Sequence, residues 1–298
     1  MFPVAIEEYR RPKTLVEARL ALDGYDPDDI VLLAGGQSVM QAIKARMVRP
    51  RCIVDLQDLA ELRGMSRADG LTIGALTRYV EIAEDTGLTG GYAALRDAAQ
   101  HVGDRQVRNR GTIGGSVCWN YVASCLPAVV LGLGATVDLL AVDGKSRQIA
   151  IDDFLIGPLE TARRPDEFLV SLHLPKLGAG SGSAYRKWGL VTDALPVVGV
   201  CVLITLASDG KIAAARVSLS GLAAGAQRAQ AAEFILTGSD GGDAAITAAF
   251  AEAAGAADAQ ADKWADSAYR RQLIRTLGRE VAETALQRAR AGSTGAKP

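Results

Sequence analysis

Two short stretches carry most of the chemistry in this 298-residue chain: Leu32-Leu33-Ala34-Gly35-Gly36-Gln37-Ser38-Val39 and Gly111-Thr112-Ile113-Gly114-Gly115-Ser116. Each sets adjacent glycines, small side chains and a hydroxyl beside an apolar run. Adjacent glycines can turn the backbone through positive φ, so that successive N–H groups point into one concavity with no Cβ in the way. Such a concavity suits anionic oxygens. Two of them in one chain point to a ligand with a diphosphate and an extended body. The same spacing also fits two tight turns between strands, and spacing alone leaves both readings open.

The flanking pattern says what positions these stretches. Apolar residues at helical spacing run from Thr14 to Leu22, Val31 to Ala34 reads as a buried strand, and Val39 to Met47 as a helix opening at the glycine turn. Arg49-Pro50 ends it and Cys52 to Leu56 reads as a further strand. This β-loop-α order puts the Gly35 and Gly36 amides near a helix N-terminus, where the macrodipole also favours phosphate. Leu71 to Gly74 reads as a strand, Tyr79 to Asp85 and Tyr92 to His101 as helices, and Leu126 to Val142 as an apolar segment. The Gly178–Ser183 stretch is a flexible break or a hairpin loop. After it, Pro196 to Leu206 and Ile212 to Leu219 form a hairpin across Ser208-Asp209-Gly210. Two alanine-rich helices follow, at about Asp243 to Ala257 and Asp266 to Arg290, and the tail at 291–298 is expected to be disordered.

Composition removes several function classes. A net charge of −1 gives no global reason to expect nucleic acid or an anionic membrane. The N-terminus lacks the basic start and apolar core of a signal peptide, and no apolar run reaches membrane-spanning length, so a cytoplasmic chain without membrane insertion is expected. Cys52, Cys118, Cys125 and Cys201 contain no C-x-x-C pair, and His101 and His173 are the only histidines, so no metal or iron–sulfur site is expected here. Gly132-Leu133-Gly134-Ala135 lacks the third glycine of a dinucleotide fingerprint and precedes a strand instead of following one. No phosphate-binding G-x-x-x-x-G-K-[ST] loop and no G-x-S-x-G elbow occurs. Arg105, Arg108 and Arg110 could neutralise phosphate or form a solvated loop, and for each one the solvated loop is preferred.

Ala34-Gly35-Gly36-Gln37-Ser38 after a strand, followed by Arg108-Asn109-Arg110-Gly111-Thr112-Ile113-Gly114-Gly115, closely resembles the FAD-binding medium subunit of the molybdenum hydroxylases. The likeness runs nearly end to end, through Tyr9-Arg10-Arg11-Pro12, Ile53-Val54-Asp55-Leu56, Ile73-Gly74-Ala75-Leu76-Thr77, Leu126-Pro127-Ala128, Tyr185-Arg186-Lys187 and Tyr269-Arg270-Arg271-Gln272-Leu273. The resemblance implies an α+β chain. A two-lobed PCMH-type FAD-binding domain would span 1–175, with lobes of about 1–57 and 58–175. A smaller α+β domain of a three-stranded antiparallel sheet and helices would span 183–290.

It further implies FAD held by residues 32–39 and 111–116, with Val102, Leu169 and Lys187 at flavin-contact positions. Cys125 stands where relatives commonly carry a cofactor-contacting aspartate before Leu-Pro-Ala, and a thiol is a poor substitute for a carboxylate. Ala194 stands where some relatives place an aromatic near the flavin ring. The resemblance puts the molybdopterin cofactor on a large partner subunit and [2Fe–2S] clusters on a small one. Electrons would pass through FAD to an external acceptor, and no residue here is expected to be catalytic. The alternatives are a self-contained FAD oxidoreductase and a scaffold subunit that has lost FAD.

Overall fold

A computed structural model describes residues 4–22 and 24–295. The first lobe is built from β1 (Glu8–Arg10), α1 (Leu15–Leu20), β2 (Ile30–Leu33), α2 (Val39–Lys44) and β3 (Cys52–Asp55). Thr14 caps α1 by accepting a hydrogen bond from the Glu17 N–H at 3.1 Å. The three strands form a parallel sheet in the order β1-β3-β2, with Val31 opposite Ile53 and Leu33 opposite Asp55. A parallel pair needs a crossover, and α2 supplies it, so the glycine segment after β2 lies at the C-terminal edge of this sheet.

The second lobe comprises β4 (Met65–Ser66), β5 (Leu71–Gly74), α3 (Tyr79–Glu84), α4 (Ala93–Gln100), α5 (Arg105–Arg110), α6 (Ile113–Trp119) and α7 (Cys125–Gly132). It continues with β6 (Thr136–Ala141), β7 (Ser146–Ala150), α8 (Ile151–Phe154), β8 (Leu155–Gly157), β9 (Glu160–Thr161) and β10 (Glu167–Leu174). Its five-stranded sheet runs β4-β5-β10-β6-β7, and every pair is antiparallel. A β-bulge interrupts β10 between Leu169 and Ser171. Phe168 and Leu76 bury themselves among Ala18, Val54 and Leu56 of the first lobe, which joins the two lobes through a shared core.

The C-terminal domain contains β11 (Ser181–Trp188), β12 (Val198–Leu206), β13 (Ile212–Ser220), β14 (Gln227–Arg228), α9 (Gln230–Leu236), α10 (Asp243–Ala256) and α11 (Ser267–Gly295). The sheet has four antiparallel strands rather than three, because two-residue β14 pairs with the end of β13. Two residues leave no periodicity to read. Residues 181–183 of the glycine- and serine-rich break are already strand, paired with Leu203, Ile204 and Thr205. The expected tail is also corrected. Helix α11 runs on to Gly295, and Gly292 lies against the Ala179 backbone so closely that no Cβ would fit. That docking holds a weak helix-forming sequence in place; residues 296–298 fall outside the described residues.

The apolar run in β12 has a physical cause. Val198, Val200, Val202 and Ile204 face α10 and α11, whereas Cys201 and Leu203 pack into the second lobe's core with Tyr185. A strand covered on both faces shows no polar alternation. Arg288 on α11 reaches over β11 to Asp97 on α4, with Nη1 and Nη2 at 2.6 and 3.1 Å from the carboxylate oxygens and Nη1 also 2.7 Å from the Ser183 carbonyl.

Gly182 is a tight point of this arrangement, since a Cβ there would overlap the Ala285 carbonyl and the Ala289 amide of α11. Gly182→Ala is expected to lower stability by about 1–3 kcal/mol in urea unfolding. Gly178→Ala meets no atom within 4 Å and is expected to stay within about 0.5 kcal/mol of the parent.

Candidate functional site

The two glycine segments come together at the junction of the lobes. β2 delivers Ala34 and Gly35 to one side, and α5 delivers Arg110 and Gly111 to the other. A Cβ on Gly35 would overlap the Arg110 carbonyl, so the contact is backbone against backbone. Gly36 alone among the glycines of the two segments has a positive φ, +75°. Here the chain turns from β2 into α2, which is the left-handed conformation the sequence suggested.

The second segment differs from that expectation. Thr112 caps α6, and Gly114 and Gly115 form the first turn of that helix with ordinary backbone angles. Gly114 is a glycine because α6 is docked too closely on Ala75 for a side chain, and a Cβ on Gly115 would crowd the capping Thr112 hydroxyl. A Cβ on Gly114 would lie 2.6 Å from the Ala75 Cβ and 2.7 Å from its carbonyl oxygen, and one on Gly111 would overlap the Tyr79 ring.

The amides divide in the same way. Ile113 N–H donates to Thr77 O at 3.0 Å, Gly114 N–H to Ala75 O at 2.9 Å, Gly115 N–H to Thr112 Oγ1 at 3.2 Å and Ser116 N–H to Thr112 O at 3.1 Å. The second segment therefore has these N–H groups already satisfied. Among the described residues, no group accepts a hydrogen bond from the N–H groups of Ala34, Gly35, Gly36, Gln37, Ser38 or Val39. A strip of consecutive free donors at the start of a helix is an anion-binding surface.

A cavity of about 240 Å³ opens between the lobes at this contact. Of the expected cofactor-binding residues, Leu32, Ala34, Gly35, Gly36, Gln37, Ser38, Val39, Gly111, Thr112, Gly114, Gly115, Ser116 and Leu169 line it. Leu33 lines a groove on the other side of the loop, with Lys44, Asp55 and Arg110. Ile113 is fully buried in the core. Val102 packs on the second lobe, and its carbonyl accepts from Arg108 Nη1 at 3.3 Å.

Cys125 and Lys187 lie outside the cavity. Cys125 opens α7 and is buried against Tyr185 and near Lys187, where burial raises its thiol pKa. Lys187 Nζ donates to the Ala194 carbonyl, and its pKa is lowered by burial. Trp188, next to it, makes an edge-on contact with Tyr269 at 5.3 Å between ring centroids. The structure thus separates the expected residues into a cavity set and a Cys125–Lys187 set, with Leu33, Ile113 and Val102 in neither.

Sequence reasoning missed Tyr79, Cys118, Trp119, Phe168 and Arg163, which also line the cavity. Arg163 is the one lining residue with a charged side chain among those described. It carries no local motif, and only the fold of the β8–β9 hairpin brings it opposite the glycine segments. Burial pushes the Tyr79 hydroxyl up to about 12, with Ser116 opposing as a hydrogen-bond partner. Burial pushes the Cys118 thiol up to about 11 against the opposing charge of Arg163. Among the described residues the lining fits a dinucleotide diphosphate: free amides, glycines that let the two lobes meet backbone to backbone, one cation and no carboxylate.

The family described as "FAD binding domain in molybdopterin dehydrogenase" matches residues 4–177, and "CO dehydrogenase flavoprotein C-terminal domain" matches 183–285. The chain is 33% identical over 273 residues to the 6-hydroxypseudooxynicotine dehydrogenase complex subunit alpha of Paenarthrobacter nicotinovorans, covering 91% of each. It is similar to a carbon monoxide dehydrogenase structure from Hydrogenophaga pseudoflava, with TM-score 0.90, 30% identity and coverage of 97% of this chain and 99% of that one. It is also similar to quinoline 2-oxidoreductase from Pseudomonas putida 86, with TM-score 0.87, 27% identity and coverage of 97% and 99%.

Gly35→Ala drives the two lobes apart and is expected to reduce FAD in the purified chain to below about a tenth of the parent level, read by visible absorbance after denaturation. Gly36→Ala strains one residue by about 1 kcal/mol and is expected to keep most of its flavin. The thiols give a second check. With Cys118 near 11 and Cys52, Cys125 and Cys201 all raised by burial, the thiolate fraction at pH 8 is small. Iodoacetamide at pH 8 is expected to label the native chain at least about a hundredfold more slowly than the guanidinium-unfolded chain.

Proposed function

This chain belongs to the FAD-binding medium subunits of the molybdenum-containing dehydrogenases, and from that premise we propose that it takes electrons from a [2Fe–2S] small subunit and passes them through FAD to an external acceptor. The complex would hydroxylate an N-heterocyclic or related small molecule at a molybdenum cofactor on a large subunit, in the cytoplasm. The observation that carries the reading is the strip of free amides from Ala34 to Val39 beside a cavity whose lining, among the described residues, contains no carboxylate.

Bound FAD supplies the electron-accepting and electron-donating chemistry. The chain's residues hold it. The Ala34–Val39 amides and the Ser38 hydroxyl take the diphosphate, and Ser116, Gly111, Gly114 and Gly115 form the opposite wall. Leu32, Leu76, Phe168 and Leu169 exclude water from the apolar side. The proposed substrate class draws on the 6-hydroxypseudooxynicotine and quinoline enzymes named above, with carbon monoxide oxidation as the competing precedent. Among the described residues, no helix is long and apolar enough to cross a membrane.

The test is a tagged purification from cells carrying the partner chains, followed by anaerobic titration with N-heterocyclic substrates. Flavin bands near about 370 and 450 nm, with FAD and not FMN recovered, are expected. Substrate is expected to bleach them only in the complex, never in the chain alone. Bleaching of the isolated chain would instead establish a self-contained oxidoreductase. A colourless chain that also refuses added FAD would establish a scaffold.

A further inference from the structure

A diphosphate brought between two protein lobes loses most of its hydration, and amide dipoles alone leave its charge unbalanced. The sequence offered Arg105, Arg108 and Arg110 as counter-charges, and the structure sends them elsewhere. Arg108 Nη1 is spent on the Val102 and Gly103 carbonyls, at 3.3 and 2.6 Å. Arg110 lines the groove on the far side of the first glycine segment, and Arg105 lines neither space.

Arg163 is placed differently. It follows β9 and leads into β10, and it lines the cavity facing the glycine segments. Its Nη1 donates to the carbonyls of Arg164 and Glu167 at 3.0 and 2.7 Å, which clips one corner of the guanidinium to the β9–β10 connection. Among the described residues nothing accepts from its Nε or Nη2. The nearest carboxylate in sequence order along β10 is already committed: Glu167 takes Arg147 at 2.7 and 2.9 Å and the Arg164 amide at 2.7 Å. The neighbouring Cys118 is a neutral thiol and gives no counter-charge.

We propose that Arg163 is the residue that neutralises the FAD diphosphate, presenting its free guanidinium edge across the cavity from the Ala34–Val39 amides. This rests on the reading of the cavity as the FAD site. A planar guanidinium clipped at one nitrogen and free along the other edge suits bidentate contact with two phosphate oxygens. The anion is then held between a fixed charge on the second lobe and a row of dipoles on the first. Binding would therefore bridge the two lobes across a contact that is already closed.

The experiment measures FAD and riboflavin affinity of the full-length apo chain by flavin fluorescence at several KCl concentrations, for the parent, Arg163→Gln, Arg163→Lys and Arg110→Gln. Arg163→Gln is expected to weaken FAD by about tenfold or more and to flatten the salt dependence, while riboflavin, which has no phosphate, binds as in the parent. Arg163→Lys is expected to restore part of the loss, and Arg110→Gln to bind as the parent does. Parent-like FAD affinity in Arg163→Gln overturns the proposal, and so does an equal loss of FAD and riboflavin, which would mark a structural role. Should Arg163→Gln fail to fold by thermal melting, Arg163→Lys carries the comparison, with parent-like salt dependence supporting and riboflavin loss overturning. A parent chain that takes up no FAD overturns the cofactor reading itself, an outcome distinct from a parent that binds beside a variant that binds equally.

Discussion

Gly35 rests on the Arg110 carbonyl with no room for a single methyl group between them. Everything at the site follows from that contact. The first lobe can bring its loop this close only because β2 ends in a residue without a side chain. The second lobe can meet it only because Gly111 lies flat on Tyr79 and the Tyr79 amide donates back to the Gly111 carbonyl at 3.0 Å. Backbone packed on backbone leaves no flexible side chain to absorb error, so the spacing of the lobes is fixed to fractions of an ångström. The cavity between them inherits that precision.

The two glycine segments have different tasks, although their sequences look alike. The first keeps its amides free and turns through positive φ at Gly36. The second uses its amides to dock α6 on Ala75 and Thr77, and its glycines serve as clearance. A segment that must grip an anion and a segment that must hold the gripping segment in place need the same residue type for unrelated reasons. The C-terminal domain extends this support, because its sheet covers α4 and α7 from behind while α11 seals the other face. Arg288 and Asp97 tie the outermost helix through the sheet to α4, one element away from the segment leading to α5.

Much of this was legible in the sequence. The β2–loop–α2 order, the strand at Leu71–Gly74 and the hairpin at Asp209-Gly210 have strong local signals: an apolar run, a glycine turn, a helix period. Residues 105–110, for whose arginines a solvated loop is the preferred reading of the sequence, form the short α5, and its helix depends on Asp104, which caps it by accepting from the Val107 amide at 2.8 Å. The positive φ at the second glycine pair was inferred from composition and does not occur, because composition cannot tell a turn glycine from a clearance glycine. Arg163 was invisible for a deeper reason: its place on the cavity comes with the β8–β9 hairpin, which Asn120 at the end of α6 holds through the Gly157 and Glu160 carbonyls, and nothing within several residues of it announces a site.

The chemistry of the cavity lining bears on what kind of protein this is. Its ionisable groups among the described residues are Tyr79, Cys118 and Arg163. Burial holds the Tyr79 hydroxyl near 12 and the Cys118 thiol near 11, so both stay protonated at neutral pH. General acid–base catalysis works best with a group whose pKa lies near the working pH, and the lining supplies none. The two histidines are committed elsewhere: His101 Nδ1 lies 2.7 Å from the Asp97 carbonyl, and His173 Nδ1 lies 3.1 Å from Thr72 Oγ1 across the β5–β10 pair. A cavity with one guanidinium and a row of backbone dipoles on its lining is suited to hold an anionic cofactor at constant affinity across the neutral range.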